Sequence, residues 1–157
     1  MLVNIIKTLL LLGFIILIGV SCKRVNPKCW GENKNKGIIE STLSIPCAKV
    51  SSSSDGYLIT NDSAYQALLS GNAFDSTSCD APNIDFDKYS LLGLYTSGQC
   101  NVKTERVVEE VKEKSKYHYQ VKVKSCGSCK VAITSYNWVL VPKLPDNWTV
   151  TFDVINK

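Results

Sequence analysis

The stretch that decides the fold runs from Cys100 to Cys129, CNVKTERVVEEVKEKSKYHYQVKVKSCGSC. In its second half Tyr117, Tyr119, Val121 and Val123 alternate with polar residues, as in a strand that buries one face. The first half can pair with this strand, and the charged run between the halves can form the turn. The sequence therefore predicts a long antiparallel β-hairpin over about 100–129.

The apolar residues of the two limbs predict the register of this hairpin. Val107 and Val111 share the buried face if Val111 lies opposite Tyr117 and Val107 lies opposite Val121. That register leaves residues 112–116 as the tip of the hairpin.

The same register brings the cysteines at the open end of the hairpin together. Cys100 falls opposite Ser128, between Cys126 and Cys129, so we expect a disulfide from Cys100 to one of these two. Such a bridge would stabilise the domain by about 2–4 kcal/mol. The alternative is that Cys126 and Cys129 form a thiol–disulfide redox pair. That chemistry needs the first thiol at a helix N-terminus, whereas strands flank this motif on both sides.

The first residues have the layout of a secretory signal peptide. Residues 1–21 carry one charge, Lys7, and an apolar run over 9–20 that ends at Ser21 before Cys22. A membrane span needs about 20 apolar residues, and this run is shorter. We expect residues 1–21 to be removed on export.

The segment Ile18-Gly19-Val20-Ser21-Cys22 resembles a bacterial lipobox. The resemblance implies that Cys22 carries acyl chains such as palmitate and becomes the first residue of a membrane-bound lipoprotein. Stable anchoring takes more than one chain, which a lipoprotein has. Lys23 stands where some lipoproteins carry an aspartate that retains them in the inner membrane, so the expected location is the outer membrane of the cell envelope.

Charge and composition divide the rest of the chain and exclude one class of partner. Residues 22–36 are polar and predict a tether, and residues 37–157 predict a single β-rich domain stapled by disulfides. Loss of the signal lowers the formal charge from +4 to +3, and Arg24 and Arg106 are the only arginines. This pattern does not fit a nucleic-acid partner.

The mature chain predicts strands and one helix. A helix is expected over about 62–70, because Tyr65, Leu68 and Leu69 recur at helical spacing after polar N-cap candidates. Strands are expected at 57–59, 90–95, 131–133, 138–141 and 149–155, one strand within 38–50, and a break at 96–99. The fold class is α+β, with a mainly antiparallel sheet or sandwich.

A second resemblance spans most of this domain. A helix ending near Leu69, the segment Ile84-Asp85-Phe86-Asp87-Lys88-Tyr89-Ser90-Leu91-Leu92-Gly93, the long hairpin and Val139-Leu140-Val141-Pro142 resemble the C-terminal domain family of the B-type protease complex subunit. The layout is also similar to small lipoproteins common in Bacteroidetes. The resemblance implies a β-rich accessory or binding domain and no catalysis.

Six cysteines remain if Cys22 is lipidated. They are Cys29, Cys47, Cys79, Cys100, Cys126 and Cys129. An even number in an exported chain predicts disulfides, although spacing alone leaves the connectivity open. A zinc site is disfavoured because the Cys126/Cys129 pair has no second closely spaced pair.

The remaining candidate residues do not form a catalytic motif. His118 is the only histidine and lies on the polar face of its strand, while Asp85 and Asp87 are expected to make turn contacts. Trp138 and Trp148 could line a groove but more often pack in or beside a core. We expect a non-enzymatic binding or accessory module without cofactor or metal, whose partner is an unidentified envelope protein or ligand. The alternative function is an envelope thiol–disulfide oxidoreductase that uses Cys126 and Cys129.

Overall fold

The computed structural model describes residues 32–48, 55–70, 80–127 and 129–156. These residues form eight strands and one helix. The strands are β1 (Lys34–Gly37), β2 (Ser41–Leu43), β3 (Tyr57–Ile59), β4 (Tyr89–Gln99), β5 (Asn101–Val111), β6 (Lys116–Cys126), β7 (Ala132–Pro142) and β8 (Thr149–Asn156), and the helix is α1 (Asp62–Leu69).

The strands form two four-stranded sheets. Sheet one has the order β1-β5-β6-β8, and sheet two has the order β2-β7-β4-β3. The two edge strands of sheet one are parallel to their neighbours, and the other pairings are antiparallel. The predicted α+β class with a mainly antiparallel, hairpin-containing sheet structure is confirmed.

The sheets and the helix stack as three layers. Alternate residues of β4, β6 and β7, among them Leu92, Tyr119 and Val139, fill the space between the sheets. The opposite face of sheet two packs under α1 through residues such as Leu91 and Trp138. Sheet two is therefore buried on both faces, which explains why the centre of β4 is apolar at successive positions.

Helix α1 begins where the sequence predicted it. The Asn61 side chain accepts a hydrogen bond from the backbone N–H of Ala64 at 2.9 Å, so it caps the first turn. Tyr65 and Leu68 are buried against sheet two, and the Tyr65 hydroxyl donates to the Pro82 carbonyl at 2.9 Å. The apolar spacing of this helix is thus a core contact.

The predicted hairpin is present, but its predicted register is wrong by one residue. Val111 lies opposite Lys116, and Val108 rather than Val107 faces the core, opposite Tyr119. Adjacent valines fit either register in a period-2 pattern, so the apolar residues could not decide between them. The turn decides it: residues 112–114 form one 3-10 turn, and Ser115 closes it with a φ of 47°.

Three other boundaries differ from the predictions. β4 continues through Gln99, so the predicted break at 96–99 is wrong, and β7 is one strand where two were expected. Thr96 is buried within this continuous ladder, which satisfies its backbone groups. β1 begins at Lys34, so sheet one includes the end of the segment that was expected to be tether.

Gly93 leaves the space that Trp138 occupies in the helix-side core. The two residues are paired across β4 and β7, and a Cβ on Gly93 would lie 2.1 Å from the indole ring. Trp138 is only 2% exposed and has no free volume into which to move.

We expect Gly93→Ala to lower the free energy of unfolding by about 1–3 kcal/mol or more, because it overpacks the core. Urea denaturation measures the change. The control is Ser97→Ala on the same strand, whose side chain is exposed and whose substitution should change stability by less than about 0.5 kcal/mol. Equal stability of the two variants would contradict the packing argument.

Candidate functional site

A cleft of about 250 Å³ opens between the two sheets at the end where β4 passes into β5. Its walls come from the first half of β5, from the first half of β7 and from the residue that precedes β1. The lining residues are polar, apart from two aliphatic side chains: Asn33, Asn101, Thr104, Arg106, Thr134 and Ser135, with Val102 and Ile133.

Arg106 is the charged residue of this cleft. It lies opposite Val121 on the inner face of sheet one, so its half-buried side chain points between the sheets. The guanidinium Nε donates to Asn137 Oδ1 on β7 at 3.0 Å, and Nη1 makes a long 3.5 Å contact with Asn35 Oδ1 on β1. The group is held between the sheets by one amide on each of two strands.

Asn137 is fully buried and fixes the position of Arg106. Its side-chain nitrogen donates to the Leu94 carbonyl at 3.2 Å and to Thr96 Oγ1 at 2.9 Å, which leaves Oδ1 to accept from Arg106. Thr96 in turn donates to the Ser135 carbonyl at 3.4 Å. Every donor and acceptor of the Asn137 amide therefore has a partner, as a buried amide requires.

Tyr119 completes this network from the centre of β6. Its hydroxyl is buried and donates to the Asn137 carbonyl at 2.9 Å. Burial raises the pKa of the Tyr119 phenol far above its ordinary value, although the nearby charge of Arg106 opposes the shift. The phenol therefore stays protonated and keeps its role as a donor. Burial also lowers the pKa of Arg106, but a guanidinium remains charged in proteins.

Thr104 adds an unsatisfied hydroxyl to the cleft. The residue is 6% exposed, and its Oγ1 has no hydrogen-bond partner among the described residues. Its backbone N–H donates to Asn33 Oδ1 at 3.0 Å, which ties the chain before β1 to β5. Trp138 Nε1, on the helix side of sheet two, is the other buried side-chain atom in this state within the described part of the chain.

The cleft is electrostatically one-sided. No carboxylate of residues 32–48, 55–70, 80–127 or 129–156 forms an ion pair with Arg106. The neighbouring acid, Glu105, points to the outer face of sheet one, where it contacts Lys36 at 2.8 Å and Lys122 at 3.8 Å. The charge of Arg106 is therefore balanced by neutral dipoles alone within the described structure.

Sequence reasoning missed this cleft because of the one-residue error in register. In the predicted pairing Val107 faced the core, which turned Arg106 and Thr104 outwards. The signal that could have found them is the turn: Lys112–Lys114 closed by Ser115 leaves one residue fewer at the tip. With that tip the polar positions 104 and 106 fall opposite the apolar positions 123 and 121.

A disulfide closes the same end of the molecule. Cys100 is bonded to Cys129, with 5.4 Å between their Cα atoms, so the expected bridge from Cys100 is confirmed and its partner is Cys129. Cys100 has a φ of 63° and turns the chain from sheet two into sheet one. Its N–H donates to the Val131 carbonyl at 2.9 Å, which holds the corner against the start of β7.

The other described cysteines are also oxidised. Cys47 and Cys126 each take part in a disulfide, and the other halves of these bridges lie outside the described residues, as do the predicted site residues Cys22, Cys29 and Cys79. Cys126 and Cys129 thus belong to different bridges. A Cys126/Cys129 dithiol would exist only after both bridges had opened, and Cys126 ends a strand and starts no helix.

The remaining predicted candidates have structural contacts. The His118 ring Nδ1 lies 2.9 Å from Thr151 Oγ1 on β8. Asp85 accepts from the Asp87 N–H at 3.1 Å, as expected for a turn, and the hydrogen bond from Lys88 lowers the pKa of the Asp85 carboxyl. Trp138 is buried in the core.

The aromatic residue beside the hairpin is likewise packed against its neighbour. The Trp148 ring meets the Tyr117 ring edge to face at 5.7 Å. This contact closes the tip end of the sandwich, opposite the cleft, and matches the packing role expected for a tryptophan beside a strand.

Two broader properties concern the described residues only. They contain no group of three or more His, Cys, Asp and Glu side chains arranged to hold a metal ion. They also contain no helix with the length and hydropathy needed to cross a membrane. The predicted signal peptide, the lipidated cysteine and most of the tether lie outside these residues.

The resemblance to the C-terminal domain family of the B-type protease complex subunit stays a prediction. Comparison of the chain with protein-family models, with curated proteins and with solved structures found no match.

Proposed function

We propose that the protein is a lipid-anchored lipoprotein of the cell envelope whose domain is a non-enzymatic binding module. In this proposal Cys22 carries the acyl chains and the cleft around Arg106 receives the ligand. The observation that carries the binding role is the half-buried guanidinium without a carboxylate partner among the described residues, held open to the cleft by Asn137.

The pattern of buried polar groups supports a binding role. A charged group between two sheets is costly unless it is paired or needed, and its surroundings here are neutral amides and hydroxyls. The four-residue network of Arg106, Asn137, Thr96 and Tyr119 spends core volume on positioning that one cation. A purely structural core at this place would be more stable with apolar residues.

The position of the cleft suits a protein attached by its N-terminus. Asn33 lines the cleft and follows Cys22 by eleven residues. A fully extended chain of that length reaches roughly 40 Å. In the proposed arrangement the cleft therefore lies near the membrane surface, and the charged hairpin tip lies at the far end of the domain.

The anchor makes a direct prediction. Wild-type protein expressed in a bacterial host should be found in the membrane fraction with an intact mass that starts at Cys22 and includes acyl chains. Cys22→Ala should lose the acyl mass and the membrane retention, because the lipid attachment point is gone.

The control for the anchor prediction is Cys29→Ala, which also removes one cysteine near the N-terminus but keeps the lipobox. It should remain acylated and membrane-bound. Identical processing and retention of the Cys22→Ala protein would contradict the lipoprotein assignment.

The binding role is tested by site-specific photo-crosslinking in the native envelope. A photoreactive residue at position 133, on the rim of the cleft, should give an adduct that disappears when Arg106→Gln is added. The same residue at position 114, on the hairpin tip, serves as the comparison site. No adduct at position 133, or an adduct that persists without Arg106, would contradict a binding role for the cleft.

A further inference from the structure

We propose that the cleft binds the carboxylate group of a small organic anion, with Arg106 as the charge partner. This inference rests on the proposed function, since it names the class of ligand that the binding module takes. It is argued from the charge, the hydrogen-bonding groups and the size of the cleft.

The free donors of Arg106 point to an anion. A guanidinium has five N–H donors, and the described contacts use one on Nε and one, at 3.5 Å, on Nη1. The outer edge of the group, which carries the two terminal nitrogens, keeps donors for a ligand. Because the lining residues include no acid, an incoming anion meets no competing negative charge.

The single charge and its planar shape select a carboxylate. Arginine binds a carboxylate through two parallel N–H···O bonds, and the one cation of the cleft neutralises the one charge of that group. A phosphate monoester brings nearly two charges. The cleft has no lysine or second arginine among its lining residues to meet the second charge.

The unsatisfied hydroxyl of Thr104 is an independent sign of a ligand. A buried hydroxyl without a partner costs free energy, and such groups are rare in folded proteins. Thr104 lies two residues before Arg106 on the same face of β5, and Val102 continues that row. A ligand that accepts from the hydroxyl would remove this cost on binding.

The rest of the lining limits the size and character of the ligand. Val102 and Ile133 form an apolar wall, and Ile133 is 39% exposed at the rim. Drug-sized ligands occupy pockets of about 300–1,000 Å³, so a cleft of about 250 Å³ fits a molecule with a short aliphatic part. The ligand class is thus a small aliphatic carboxylate.

The inference is tested by ligand-observed NMR titration of the full mature protein in nanodiscs, with butyrate as the probe. Butyrate should bind with an affinity in the millimolar range, as expected for so few atoms. Arg106→Gln should weaken binding by at least about tenfold, because it removes the charge partner. Thr104→Val should also weaken binding, while it raises the melting temperature of the ligand-free protein by about 2–4 °C.

Three controls make the outcome decisive. Butyramide, which is neutral and nearly isosteric, should not bind. Propyl phosphate should bind no more tightly than butyrate. Lys114→Gln removes one positive charge at the distant hairpin tip and should bind butyrate as the wild type does. Thr104→Val keeps the test valid if Arg106→Gln proves unstable.

The inference is overturned if butyrate does not bind the wild type, if butyramide or propyl phosphate binds better, or if Arg106→Gln or Thr104→Val binds butyrate unchanged. Its failure is distinguishable from failure of the proposed function. An Arg106-dependent crosslink at position 133 without butyrate binding would reject the carboxylate class and leave the binding module in place.

Discussion

Replacement of Cys100 and Cys129 by serine is expected to lower the free energy of unfolding by about 3–4 kcal/mol, because it releases a loop with a sequence separation of 29 residues. For a domain of this size the loss corresponds to a fall in melting temperature of about 10–15 °C. The effect should be large because Cys100 sits at the corner where the chain changes sheets. Thermal unfolding followed by far-UV circular dichroism measures it.

The comparison for the disulfide variant is the wild type unfolded with and without reductant. The wild type without reductant should be the most stable, the double variant less stable, and the fully reduced wild type the least stable, because Cys47 and Cys126 are also in disulfides. A double variant that melts within about 2 °C of the oxidised wild type would show that the bridge adds no stability.

The second large effect is expected at Asn137. Asn137→Leu keeps the volume of the side chain but leaves three groups without their partner: Arg106 Nε, the Leu94 carbonyl and Thr96 Oγ1. Loss of a partner to a buried charge, together with unpaired neutral groups, should cost about 3–5 kcal/mol. Urea denaturation at neutral pH measures the change.

The control for this prediction is Asn35→Ala. Asn35 is exposed and contacts the same guanidinium only at 3.5 Å, so its loss should change stability by less than about 0.5 kcal/mol. The contrast separates the buried side of Arg106 from its exposed side. If the two variants are equally stable, Asn137 does not organise the interior of the sandwich.

Much of the local structure of this chain could be predicted from residue patterns. The alternation of Tyr117, Tyr119, Val121 and Val123 marks β6 because a strand with one buried face repeats every two residues. The capping side chain of Asn61 and the spacing of Tyr65 and Leu68 mark α1 in the same way. The proximity of Cys100 to the cysteines after β6 follows from the hairpin itself.

The extent of β4 and β7 could not be predicted in this way. Thr96, Ser97 and Gly98 form a stretch that reads locally as a break, yet they pair along β7 through Gln99. A strand with partners on its ladder and a covered face satisfies its backbone groups whatever the local propensity. The partner strand lies more than thirty residues away, so no local window contains the cause.

The sequence by itself determined that the chain makes a cysteine-bounded hairpin, a short capped helix and a β-rich α+β domain, because each follows from local periodicity and turn chemistry. Only the tertiary structure decided which residues of β5 face inwards. The adjacent valines at 107 and 108 satisfy either register, and the choice depends on how the second sheet packs against the first. That choice places Arg106 and Thr104 between the sheets, and Asn137, thirty-one residues away in sequence, holds the guanidinium there.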